Sequence, residues 1–226
     1  MSEGLAINSN NSENSDSDKM KIIIVSNPVD ITEEHDILHA LFEAGLDHFH
    51  LRKPNSDQKE LEEYIRKIHP VFISRIIIHS HYSLIKKYNL KGIHFPEKVR
   101  REAEVKEIIQ AARTKRLLIS SSVHTLEEIP SCNQFDYVFL SPVYPSISKP
   151  GHVGNLTPAM FKEWKQNHSF KIKIIALGGI GSDNCEELLE AGFDGIALLG
   201  TIWEKSDKEI KIIIKNYSDI KAKVDY

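Results

Sequence analysis

The chain has 226 residues, 41% of them apolar and 27% charged, with 11 Gly, a composition that fits one globular α/β domain and excludes a fibrous or wholly disordered chain. A formal net charge of -3 and an isoelectric point near 6.4 exclude a surface built to neutralise a nucleic-acid backbone. Cys132 and Cys185 are the only cysteines and form no CxxC pair, so two free, structural thiols in a reducing compartment are expected.

Residues 1–19 are rich in Ser, Asn, Asp and Glu, with little to bury, and predict a disordered tail ahead of a folded domain over 20–226. No run of about 18 apolar residues and no basic-then-apolar signal occurs at this end, so a cytoplasmic protein without membrane contact is expected. From Lys21 onward, short β-branched runs alternate with longer amphipathic segments, the pattern of parallel strands joined by crossover helices. Strands are predicted at Ile22 to Val25, His48 to Arg52, Arg75 to His79, Gly92 to Phe95, Leu117 to Ser122, Tyr137 to Ser141, Ile172 to Leu177 and Gly195 to Leu199. Between them, Thr32, Ser56 and Ser182 stand where helix N-caps are expected, Gly45 and Gly192 where helices stop, and Pro70 ends the helix after Ser56.

A short repeat supports closure of these units into a ring. Ala44 to Leu51, Asn133 to Leu140 and Ala191 to Leu198 each run helix end, turn, Asp, apolar strand, and Tyr88 to Phe95 repeats the pattern with Lys91 in the Asp place. Eight βα units in about 200 residues predict a single (β/α)8 TIM barrel, whose functional residues gather at the carboxyl ends of the strands. An open doubly wound sheet is the alternative, but no GxGxxG turn follows the first strand.

Residues two apart share a strand face, so His50 and Arg52 point together, as do Ser120, Ser122 and His124. His79 and His94 occupy comparable places on the third and fourth strands. Taken singly, each of these has an equally good explanation as a satisfied polar group; as a set they mark a mouth. The histidines raise the question of a metal, but no HxH pair lies on one strand and no Asp or Glu stands at an obvious strand end. No metal ligands are therefore expected.

After the seventh strand, Gly178-Gly179-Ile180-Gly181 frees backbone N–H groups to meet an anion, and Gly200-Thr201 does the same after the eighth. Loops at these two places build the phosphate site of many β/α barrels, which makes Gly178, Gly179, Gly200 and Thr201 candidate phosphate-binding residues. The long segment from Pro142 to His152 carries Ser146, Ser148 and Lys149, which either close over a substrate or are simply solvated.

Four anchors, His50-Leu51-Arg52, Ser122-Val123-His124-Thr125-Leu126-Glu127-Glu128, Ser146-x-Ser148-Lys149-Pro150-Gly151 and Gly178-Gly179-Ile180, resemble in order and spacing the thiamin phosphate synthase and TenI superfamily of β/α barrels. The resemblance runs from Lys21 to about Trp203. It implies a phosphorylated thiazole as small-molecule partner, with no nucleic acid, no membrane, and a homodimer as an open option. Its synthase branch joins a pyrimidine diphosphate to a thiazole phosphate with Mg²⁺ held by two Asp near the third and fourth strands. Here the equivalents are His79-Ser80 and Pro96-Glu97-Lys98-Val99, and both Asp are missing. Its TenI-like branch moves a proton on a thiazole carboxylate phosphate and needs no cofactor. That branch carries His-x-Arg on the second strand and Ser-Val-His on the fifth, as this chain does.

By this resemblance His124 is the catalytic proton shuttle, suited to it because imidazole titrates near neutral pH. Arg52 would meet the carboxylate, and His50, His79, Ser122, Ser146, Ser148 and Lys149 complete the substrate set. The Ser-x-Ser-Lys loop, however, looks like the synthase loop. A divergent synthase, with Mg²⁺, and a non-catalytic thiazole-phosphate-binding protein therefore stand as the alternatives.

Overall fold

The computed structural model describes residues 22–102, 104–144, 156–204 and 209–225. The expected tail over 1–19, and Ser146, Ser148 and Lys149, lie outside these residues. Eight parallel strands close into a barrel in chain order: β1 (Ile22–Val25), β2 (Phe49–Leu51), β3 (Ile76–Ile78), β4 (Gly92–Phe95), β5 (Leu118–Val123), β6 (Tyr137–Leu140), β7 (Lys173–Leu177) and β8 (Gly195–Leu198). The single (β/α)8 barrel is thus the fold, and the open sheet is ruled out because β8 pairs with β1, Ile23 beside Ala197.

Around the ring run α1 (Glu34–Glu43), α2 (Gln58–Arg66), α3 (Val105–Thr114), α4 (Pro158–Gln166), α5 (Cys185–Glu190), α6 (Gly200–Trp203) and α7 (Ile210–Val224), with 3-10 turns between some strands. Alternation along each strand divides the core in two. One face, with Ile22, Ile24, Phe49, Leu51, Ile76, Ile78, Ile93 and Phe95, packs under the helices. The other, with Ile23, Val25, Ile77, Tyr137, Phe139, Ile175 and Ala197, fills the barrel interior. Among the described residues no helix is long and apolar enough to cross a membrane. Cys132 and Cys185 are buried free thiols.

The repeated Asp has a structural cause. Asp136, ahead of β6, accepts the Ile119 N–H through Oδ2 at 2.7 Å while its own N–H donates to the Ile119 carbonyl at 2.8 Å. Asp194, ahead of β8, does the same to Ile174, at 2.8 Å and 2.9 Å. Each carboxylate therefore replaces a missing ladder partner where one strand starts beyond its neighbour.

The expected caps are corrected by one or two residues. Asp57, not Ser56, caps α2 in a reciprocal box: its carboxylate accepts the Glu60 N–H at 2.8 Å and Glu60 accepts the Asp57 N–H at 2.9 Å. That helix stops at Arg66, and Pro70 opens a 3-10 helix to Arg75. Asn184, not Ser182, precedes α5, its side-chain oxygen accepting the Gly181 N–H at 2.8 Å. Thr32 caps nothing, because α1 is positioned by a tertiary contact. Glu34 is drawn inward to the buried Lys53, at 2.5 Å, and the same ammonium reaches Asp30 at 3.0 Å and the Val29 carbonyl at 3.1 Å. This knot ties the loops after β1 and β2 together below one rim of the mouth. Gly45 and Gly192 take φ of 94° and 97° and stop their helices as expected.

Candidate active site at the carboxyl ends of the strands

A cavity of about 470 Å³ opens at the carboxyl ends of the strands, lined on one side by Arg52, His79, His94, Glu97, Ser122 and His124. Backbone and apolar groups form the other side: Leu177, Gly178, Gly179, Leu199, Gly200 and Thr201. Strand register brings the first set together. His50 stands beside Ile77 and His94 beside Ser120, so alternate residues of β2 to β5 point into one interior.

His124 follows β5 at the rim, where its backbone N–H donates to Glu128 Oε2 at 2.8 Å. The same glutamate closes a capping box with Thr125, which starts the 3-10 turn Leu126–Cys132 immediately after the histidine. It also pairs with Arg100 at 2.6 Å and Arg101 at 2.8 Å, so the segment that carries His124 is fixed at several points. In the ring, Nδ1 lies 2.7 Å from the Ser141 carbonyl. A carbonyl only accepts, so Nδ1 carries the proton and Nε2 of the neutral ring is left basic. Nε2 lies 3.6 Å from Glu97, whose other oxygen takes Arg101 at 2.8 Å.

Arg52 is exposed at the opposite rim, and among the described residues no carboxylate lies within ion-pair distance of it. Its backbone is held on both sides by Ser26 Oγ, at 2.8 Å and 2.9 Å. Below it lie His79 and His94, stacked with centroids 4.1 Å apart. His94 engages Ser120 at 2.9 Å through Nδ1 and Ser122 at 2.8 Å through Nε2. Burial above all, then neighbouring charges, holds these imidazoles neutral: His94 is pushed down to about 3, with Arg52 adding to the effect, and His79 lies well below its ordinary value.

His50 is corrected as a substrate-facing residue. It does not line the cavity; it sits beneath it, fully buried, with Nδ1 2.9 Å from His79 Nε2 and Nε2 2.6 Å from the Tyr137 hydroxyl. Its single-strand neighbour Arg52 reaches the rim because it lies two residues further along the same face. Tyr137, which the sequence reading passed over, is the inward residue that anchors this layer, and alternation along β6 places it there.

The backbone wall depends on glycine at Gly178, where φ is 108° and a Cβ would meet Pro142 at 3.0 Å. Gly179 is also left-handed, at 65°. As the first residues of α6, Gly200 and Thr201 have no intrahelical acceptor for their N–H groups. The Thr201 hydroxyl, by contrast, already donates to the Ile180 carbonyl and so ties the two loops together. Glu204 is an addition: its carboxylate reaches to 2.9 Å from where a Cβ of Gly200 would stand. An anion settling there meets a like charge unless that side chain turns away.

Magnesium needs several oxygen ligands in near-octahedral array. The places where the synthase resemblance puts two Asp hold Ser80 and Val99, neither a carboxylate, and the nearby Glu97 is paired with Arg101. Among the described residues the one compact group of three side chains able to ligate a metal is His50, His79 and His94, all nitrogen donors. The donor set does not fit Mg²⁺. The one-strand HxH criterion missed this cluster because its members come from three neighbouring strands.

The family model for thiamine monophosphate synthase matches residues 22–202. A thiamine phosphate pyrophosphorylase from Bacteroides thetaiotaomicron is 31% identical with a TM-score of 0.74, over 91% of this chain and 98% of that one. One from Pyrococcus furiosus is 18% identical with a TM-score of 0.73, over 92% and 97%. A 3-hexulose-6-phosphate synthase from Salmonella typhimurium, 12% identical with a TM-score of 0.63 over 91% and 98%, shares the fold alone.

Proposed function

Because the chain belongs to the thiamine monophosphate synthase family, we propose that it acts on a thiazole phosphate, as a TenI-like tautomerase in which His124 moves the proton. The observation that carries this reading is the pairing of a rim imidazole, whose Nε2 is left basic by the Ser141 carbonyl, with a donor set unsuited to Mg²⁺. Proton transfer needs a base within reach of the substrate, and no counter-charge for a departing pyrophosphate.

In this mechanism Arg52, without a carboxylate partner among the described residues, holds the substrate carboxylate by a charge-assisted pair. The N–H groups around Gly178, Gly179, Gly200 and Thr201 hold the phosphate at the far wall, with Glu204 displaced. His124 Nε2 then takes a proton from the thiazole ring system while the Ser141 carbonyl stabilises the imidazolium through Nδ1–H, and Nε2 returns it at a second ring position. The step is an isomerisation, so no atom or electron is gained or lost. Ser122 and His79 form the wall between, and the Ser146, Ser148 and Lys149 segment belongs to the proposed substrate set by resemblance.

Incubation with the thiazole carboxylate phosphate, followed by NMR of the ring signals in deuterated water, tests this directly. Interconversion of the two tautomers without added metal is expected; an unchanged spectrum would sink the reading. A second reading, thiamin phosphate synthase, is favoured by the 31% identical neighbour that bears the pyrophosphorylase name. Supplying pyrimidine diphosphate and thiazole phosphate with Mg²⁺ distinguishes them, and rapid Mg²⁺-dependent formation of thiamin phosphate would favour the second.

A further inference from the structure

At the inner end of the cavity lies a cluster of imidazoles whose ring nitrogens the proposed proton transfer does not call on. His50 from β2, His79 just past β3 and His94 from β4 are all buried, and one ring nitrogen of each lies within 4.8 Å of the others. Three imidazoles in a barrel interior are costly to bury compared with the aliphatic side chains that fill the rest of it. Phe139 packs against both His50 and His94, with centroids at 4.7 Å and 4.9 Å, and restricts their rings.

We propose that His50, His79 and His94 form a three-histidine site for a divalent transition ion of the zinc class, with its fourth position open to the cavity. The donor chemistry selects the ion: three nitrogens without a carboxylate or thiolate suit zinc, cobalt, nickel or copper and not magnesium or calcium. The three nitrogens lie within 4.8 Å of one another and must draw together on the ion. Metal–nitrogen bonds of about 2.0–2.1 Å in a tetrahedron place the nitrogens about 3.3 Å apart. The His50 and His79 nitrogens, now 2.9 Å apart, open by a few tenths of an ångström as the ion displaces the proton between them.

For His50 and His94 the nitrogen facing away from the ion is also provided for. Histidine ligands are held in tautomer and orientation by a hydrogen bond at the other nitrogen. Here Tyr137 serves His50 at 2.6 Å; both nitrogens of His94 are engaged, by Ser120 at 2.9 Å and Ser122 at 2.8 Å, so the nitrogen that takes the ion gives up its serine while the other keeps one. His79 and His94 line the cavity wall, which gives the ion a route in and a face toward the ligand. Three neutral ligands leave a charge of two on the ion, so the fourth ligand is an anionic oxygen, hydroxide or a carboxylate, drawn to the same place by Arg52 above. The inference stands on the three imidazoles and does not depend on which reaction His124 performs.

The test uses the untagged full-length protein, stripped with a chelator and titrated with Co²⁺. One equivalent is expected to bind with the visible absorption of a tetrahedral nitrogen site, to be displaced by Zn²⁺, and to shift its spectrum when acetate is added. His79→Gln and His94→Gln should each weaken binding by about 100-fold or more, and Tyr137→Phe by about 10-fold, as for loss of an orienting partner. His168→Gln, at an exposed position outside the barrel, should bind as the parent does. Circular dichroism establishes that each variant is folded. A folded parent that takes up no Co²⁺, or a folded His79→Gln that keeps the parent affinity, overturns the proposal.

Discussion

On the β2 to β5 side the cavity presents side chains, Arg52, His79, His94, Ser122 and His124, while on the β7 to β8 side it presents backbone and apolar surface around Gly178, Gly179 and Gly200. The two sides answer to different constraints. A side-chain wall is defined by which groups it carries, and can be altered one function at a time. A backbone wall is defined by the path of the chain, so any side chain added to it disturbs shape before it disturbs chemistry. Substitutions on the two sides should therefore separate turnover from binding.

His124→Gln tests this most severely. It should lower kcat by about 10²- to 10⁴-fold, the usual worth of a positioned acid or base, while calorimetry finds the affinity for thiazole phosphate little changed. Unchanged turnover would point to a binding protein and erase the contrast. Arg52→Ala should raise KM by about 10- to 100-fold, the equivalent of a charge-assisted hydrogen bond, with a smaller effect on kcat. Gly178→Val should be the mirror image: thermal unfolding should show a loss of about 1–3 kcal/mol for a β-branched residue at positive φ, together with weakened phosphate binding. Glu204→Gln has the smallest expected effect and the opposite sign. Removing one exposed like charge should tighten inorganic phosphate by a few-fold, about 0.5–1 kcal/mol, and the gain should fade with added salt.

The strands were legible because an Ile- and Val-rich run buried on both faces has few other fates; all eight lie within about a residue of expectation. Caps were read less well. Ser56 and Asp57 both suit the N-cap position, and only the reciprocal bond with Glu60 decides between them. Glu33, not Thr32, stands at the N-cap of α1, and a buried lysine 19 residues on from Glu34 claims the carboxylate of that first helical residue, a long-range effect no local pattern records.

The site shows the same division. Arg52, His79, Ser122, His124 and the glycines were legible as polar or small residues at strand ends, and the structure places them on one cavity. His50 was given the wrong level, since alternation fixes its face but not its depth. The histidine cluster was invisible to any single-strand test because adjacent strands, each contributing one residue, build it. Glu204 carried no signal beyond its charge; its position follows from the single turn of α6 that returns it over Gly200.

The indole of Trp203 donates to the Val25 carbonyl at 2.6 Å, across 178 positions of sequence. Together with the β8 pairing it is the clasp of the ring. During synthesis β1 emerges first, yet one of its edges has no partner until nearly 200 residues have been made, leaving an unpaired strand edge exposed throughout. Closure of this barrel is consequently the business of its last-made strand. A chain that ends before Gly195 lacks β8 and leaves a sheet with two open edges rather than a smaller barrel.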